Sequence, residues 1–171
     1  LPEAADYEVK AREQAQEVKK VRTVRQEIFR KFWAQLIDRS RASTQILANR
    51  STSTDHWLSA GIGRSGFGLN LSLTEDRARV ECYIRDAKQP DEWNSKAFEV
   101  LKNQQDKIEK DFGHKLNWDP LPGRKGCRIS YDMEGGWKSP PEVWGDLQDM
   151  MIAELIRFEA ALRPPIQQLA V

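Results

Sequence analysis

Cysteine and histidine are scarce in this chain, with two of each among 171 residues. His56 and His114 stand alone, and neither has a metal-ligand spacing with a cysteine or with the other, so no zinc site is expected. Cys82 and Cys127 both fall in strand-like runs. In RVECYIR, Val80, Cys82 and Ile84 share one face, and in CRISY, Cys127, Ile129 and Tyr131 do the same. Each reads as a buried structural thiol, with a disulfide or a catalytic thiol as the alternatives. Such usage fits a reducing, cytoplasmic setting. Long apolar runs are missing: nothing approaches the ~20 residues that cross a bilayer. The first residues, LPEAADYEVK, have no apolar core of a signal peptide. A charge excess of one sign is also missing, since the formal net charge is +1. A chain of this length can bury one hydrophobic core without metal or disulfide staples. Because it begins at Leu1 rather than Met, it reads as a piece of a longer protein.

The charge that is present is unevenly placed. Between Lys10 and Arg41 bases predominate, whereas the last helical segment leans acidic through Glu142, Asp146, Asp149, Glu154 and Glu159. Such asymmetry steers polyanions to one end, or marks two surfaces that meet across a contact. Pro2 to Leu36 contains no internal proline or glycine and is rich in good helix formers, which predicts one long helix. From Val18 onward, Val18, Val21, Ile28, Phe32 and Leu36 follow helical spacing, so the second half is expected to dock on a core. The first half projects as an arm. A division into residues 1–40 (arm) and 41–171 (α+β domain) follows. SRASTQILANRSTSTDH reads as a polar connection with a short turn at Thr44 to Ala48.

The period then changes to two. In FGLNLSLT, Phe67, Leu69, Leu71 and Leu73 alternate with small and polar residues, predicting a half-buried strand between HWLSAGI and ARVECYIR. A helix opens at Pro90 or Asp91, with Trp93, Ala97, Leu101, Ile108 and Phe112 on its stripe and Gly113 as its stop. KLNWDPL and CRISYDM read as strands. Ser139 followed by Pro140 and Glu142 predicts the start of a last helix, which Arg163-Pro164-Pro165 ends. The order predicts an α+β fold, a largely antiparallel sheet of about five strands with helices on one face.

FRKFWAQL, WLSAGIGRSGFGLNL, RVECYIRD and the run from Phe98 through Trp118, with Ile108-Glu109, Phe112-Gly113 and Leu116-x-Trp118 intact, carry a resemblance. The chain resembles the bacterial and archaeal domain of unknown function 4268 over roughly Ile28 to Leu169. That resemblance implies a module often placed behind a restriction-endonuclease-like domain, in nucleic-acid metabolism or defence. It implies no activity residue by residue.

Four constellations bear on chemistry. Gly61-x-Gly63-x-x-Gly66 spells a dinucleotide fingerprint, but a strand follows it where a phosphate-binding helix is required, so a hairpin is the simpler reading. Asp76, Asp86 and Lys88 spell D…D-x-K, the carboxylate–lysine set of a Mg²⁺-dependent nuclease, displaced to a strand end. Arg79, Tyr83, Arg85 and Arg128 share the polar face of the sheet with Asn70, Ser72, Glu81 and Ser130. They could hold a nucleic-acid backbone, or pair across strands on an ordinary solvated face. Lys19, Lys20, Arg22, Arg25, Arg30 and Lys31 lie around the exposed arc of the first helix, where phosphates could be held by charge alone. Trp57, Trp93 and Trp137 sit near element ends, and one of them could line a pocket. The expectation is a non-catalytic accessory module without cofactor, acting by nucleic-acid binding or as a homodimer. A nuclease and a pure protein-interaction module are the alternatives.

Overall fold

The structure, a computed structural model, describes residues 2–171. Helix α1 spans Pro2–Ser40. Residues 3–27 are exposed throughout, and burial begins at Phe29, followed by Phe32, Trp33, Leu36, Ile37 and Ser40. The expectation that Val18 and Val21 begin the docked half is corrected: they are 59% and 50% exposed. The apolar stripe continues past the edge of the body, where the Trp137 ring meets Phe29 edge-on at 6.3 Å. The connection after α1 is not purely polar, because Leu47 is fully buried. It runs back along the helix, held by the Trp33 indole donating to the Asp55 carbonyl at 2.9 Å and by the Thr52 hydroxyl donating to the Arg30 carbonyl.

Five strands follow: β1 (Trp57–Gly61), β2 (Phe67–Leu73), β3 (Arg77–Ile84), β4 (Asn117–Asp119) and β5 (Cys127–Glu134). They form one antiparallel sheet in the order β1-β2-β3-β5-β4. Strict alternation fixes which side is inside, since a one-residue slip would turn every apolar side chain to water. Leu69, Leu71, Val80, Cys82, Ile84 and Ile129 all point inward and are at most 1% exposed. Helices α2 (Asp91–Lys102), α3 (Gln105–Phe112) and α4 (Trp144–Gln167), with the second part of α1, complete the core on that side. The fold is therefore α+β, with the helices on one face of the sheet.

Three boundaries differ from the sequence pattern. The single helix expected over Asp91–Phe112 is broken at Asn103–Gln104, where the Gln104 amide tightens onto the Leu101 carbonyl at 2.9 Å. No apolar side chain between Leu101 and Ile108 anchors that turn, so the chain is free to redirect. Ser139 does not cap α4. Its hydroxyl accepts the Gly136 amide at 3.1 Å, and Pro140, held extended by the proline after it, leads into a single 3₁₀ turn at Pro141–Val143. Finally, α4 continues through Pro164 and Pro165 to Gln167. Tertiary contacts override the proline penalty there: Pro165 and Ile166 are buried, and a side chain from β1–β2 binds the end of the helix.

Candidate nucleic-acid interface

That side chain is Arg64, in the middle of the glycine-rich stretch. Gly63 and Gly66 have φ of +86° and +90°, which suits a tight reversal between β1 and β2. Ile62 is fully buried. The Arg64 guanidinium donates to the carbonyls of Ile166 and Leu169, each at 2.8 Å, and so adds a donor at the C-terminus of α4, where the Ile166 carbonyl otherwise accepts only the long bond from the Leu169 amide. A methyl group on Gly66 would lie 2.6 Å from the Trp93 ring, and one on Gly63 would lie 2.7 Å from the Arg163 guanidinium. The space above the glycines is filled by side chains of this chain. GIGRSGFG is a hairpin and a helix clamp.

The candidate nuclease set does not assemble. Asp76 precedes the first residue of β3, and Asp86 lies two residues beyond its last. At ~3.3 Å per residue the two are roughly 30 Å apart, so they cannot share a metal ion. Asp86 is engaged locally: its carboxylate accepts the Lys88 amide at 3.0 Å, and its own amide donates to the buried Asn94 at 3.2 Å. Asp76 lines a cleft of about 770 Å³ with Glu75, Arg77, Glu134 and Lys138. Among the described residues no group of three or more His, Cys, Asp or Glu side chains is arranged to hold a metal ion.

The polar sheet face is assembled by register. Arg79 lies opposite Ser72 and Asp132, Tyr83 lies opposite Arg128, and Glu81 lies opposite Asn70 and Ser130. Two of its three arginines, Arg79 and Arg128, are already neutralised. Arg79 donates to both oxygens of Asp132, at 2.6 and 3.4 Å, and this pairing raises its pKa. Arg128 lies 3.8 Å from Glu81 and 3.6 Å from Asp119. The Tyr83 ring packs against Gly126, where a Cβ would approach it to 2.5 Å. Only Arg85 is exposed on this set. Asp119 and Asp132, which complete the pairs, carry no local signal; the register alone brings them across.

The arm of α1 differs. Lys19, Lys20 and Arg22 are exposed, and the ion pairs of the described residues leave all three without a carboxylate partner. Arg30 is clamped by Glu27, whose carboxyl it holds below the ordinary value. Arg25 lies over the Trp137 ring, 5.2 Å from its centroid, and Lys138 approaches the same ring at 5.6 Å. Trp137 also lines a mostly apolar groove of about 820 Å³ with Val24, Ile28, Pro140, Pro141 and Trp144. The sequence marked Trp137 only as one of three tryptophans near element ends. The Pro140-Pro141 pair beside it is the local signal that a rigid wall faces the helix.

A family model for a domain of unknown function, DUF4268, matches residues 28–166. The chain belongs to the DUF4268 family. No curated protein and no solved structure gives a match. In this DUF4268 chain the matched region opens where α1 meets the body, so the basic stretch from Lys19 to Arg25 lies outside it. The run with Ile108-Glu109, Phe112-Gly113 and Leu116-x-Trp118 has a structural explanation. Ile108 and Phe112 are buried, and Gly113 closes α3 at φ +100°. One carboxylate oxygen of Glu109 accepts both the Leu116 amide at 2.7 Å and the Trp118 indole at 3.2 Å. These residues fix the α3–β4 corner.

Proposed function

We propose that the chain is a non-catalytic accessory module that holds a nucleic-acid backbone with the basic stretch of α1. The body serves as the platform that anchors the later part of the helix and orients the rest. One observation carries this reading: Lys19, Lys20 and Arg22 are exposed and unneutralised, whereas Arg79 and Arg128 of the sheet face are held by Asp132, Glu81 and Asp119, which leaves Arg85 alone exposed there. Phosphates are recognised by positive charge within reach, without base-specific geometry. In this reading the chain assists a nucleic-acid-processing protein, in keeping with the nuclease-linked setting that the family resemblance implies.

Fluorescence anisotropy with labelled DNA and RNA tests it. With three to five phosphates engaged, affinity for duplex DNA should fall with salt at a log–log slope of roughly −2.7 to −4.5. Lys19→Glu with Lys20→Glu should weaken binding by about tenfold or more, while Arg79→Ala leaves it nearly unchanged. No binding at low salt, or binding that depends on Arg79 and not on the helix, would overturn the proposal.

A further inference from the structure

Residues 3–27 of α1 form about 37 Å of helix without cover from the body. A helix this exposed is marginal in water unless something packs on it. It carries a seam. Ala4, Tyr7, Ala11, Gln14, Val18 and Val21 recur at spacings of three and four, and the line runs on through Arg25 and Ile28 to the buried Phe32. Tyr7 is 77% exposed. Where the seam reaches the body, Val21, Val24, Ile28 and Trp137 enclose a smaller groove of about 290 Å³, contiguous with the one described above.

Charge along this stretch is sorted by position. From residue 3 to 17 the acids are Glu3, Asp6, Glu8, Glu13 and Glu17, against Lys10 and Arg12. From residue 18 to 31 the bases are Lys19, Lys20, Arg22, Arg25, Arg30 and Lys31, against Glu27 alone. The helix dipole does not require this arrangement. Its influence fades within the first and last turns, and the basic block lies mid-helix, since α1 continues to Ser40.

We propose that the occupant of the seam is the same stretch of a second copy, laid antiparallel. The acidic half of each helix then faces the basic half of the other across a two-fold axis between Gln14 and Val18. The start of each helix reaches the Trp137 groove of the other copy. Glu8 and Arg22 flank the seam on one side and meet across it, and Glu3 comes beside Lys31. A parallel pair would set acids against acids and bases against bases. The apolar seam is thin, with alanine and glutamine among its members, so charge supplies the orientation and much of the affinity. Lys19 lies off the seam and stays free for phosphate; Lys20 borders the Val21–Trp137 groove with its ammonium unpaired, and Arg22 is shared with Glu8 of the second copy. The pairing rests on the accessory reading above and adds a partner to it.

Sedimentation equilibrium over a concentration series, with circular dichroism to check that the helix is retained, provides the test. The wild-type chain should be a dimer that weakens as salt rises. Glu3→Lys with Glu8→Lys, and separately Arg22→Glu with Lys31→Glu, should each weaken self-association roughly tenfold or more. An equal mixture of the two variants should regain a heterodimer, and all four changes in one chain should restore the homodimer. Orientation is read from Ala4→Cys labelled with pyrene. The native thiols are buried, so the new one takes the label. An antiparallel pair keeps the two labels far apart and gives no excimer. A monomeric wild type, an excimer at Ala4, or failure of the mixture to reassociate would overturn the pairing. A monomer that still binds nucleic acid would overturn the pairing alone. A dimer with no nucleic-acid affinity would overturn only the phosphate reading.

Discussion

Cys82 illustrates how far a single position is decided by its surroundings. It sits on the central strand of the sheet, with Leu69 on one side and Ile129 on the other. Burial pushes its thiol up from 9.0 to about 12, and the neighbouring Glu81 adds to the shift. The unfolded chain would lose this proton near pH 9, while the folded chain keeps it until about pH 12. The folded state therefore binds more protons in that window, and its stability falls as pH rises through it, by about 4 kcal/mol at most. Below pH 9 the group has no effect. Cys82→Ala should remove this alkaline sensitivity, as followed by urea denaturation between pH 8 and pH 11. The thiolate is also the reactive form, so neither cysteine should react with a thiol reagent at neutral pH until the protein is unfolded. Rapid labelling of the native chain would contradict the buried placement of both. The strand patterns RVECYIR and CRISY were enough to place these thiols inward, because a period of two is a local property.

At the scale of elements, the hairpin between β1 and β2 and the end of α4 stabilise one another. Arg64 donates to carbonyls at the helix terminus, and that terminus in turn fills the space over the hairpin glycines through Arg163. Arg64→Ala should cost about 1–2 kcal/mol, because the Leu169 carbonyl loses its side-chain donor and the Ile166 carbonyl keeps only a long backbone bond. Arg64→Lys should recover only part of this, since both short bonds come from one guanidinium nitrogen but the shorter lysine stem sets its ammonium elsewhere and loses the second nitrogen's contact to the Val171 carbonyl. Chemical denaturation midpoints measure both, and amide exchange should show the loss concentrated in the last turn of α4. Unchanged exchange there would show that the clamp is incidental. The hairpin itself was legible, since GIGRSGFG stands between two strand patterns. The clamp was not, because Arg64 and its acceptors lie 102 and 105 residues apart. For the same reason Pro164 and Pro165 read as a stop when only the local chain is considered.

At the scale of the whole molecule, the body and the exposed part of α1 separate in energetic terms. Everything from Glu3 to Glu27 is exposed, so removing residues 1–17 takes away no buried side chain among those described. The truncated chain should unfold within about 2 °C of the intact one at concentrations where it is a monomer. A larger drop would mean that the body depends on the helix. The same truncation should abolish self-association and leave phosphate binding, because Lys19, Lys20 and Arg22 remain. The separation of Asp76 from Asp86 also belongs to this scale. Asp76 and Asp86 look close in sequence, yet an extended strand separates them almost as far as ten residues allow.

The sequence by itself determined the element types, the inward face of each strand, the long first helix and the reading of the glycine stretch as a turn. These follow from periodicity, propensity and steric limits that act over a few residues. Only the tertiary structure decided which charges remain free. The arginines of the sheet face looked like the basic stretch of α1 until the β3–β5 register set Asp132 beside Arg79, 53 residues away. It also decided where burial of α1 begins, because the body stops at Trp137 although the apolar spacing continues. An ion pair or a covered face exists only where two distant segments meet, and that is fixed by packing rather than by local pattern.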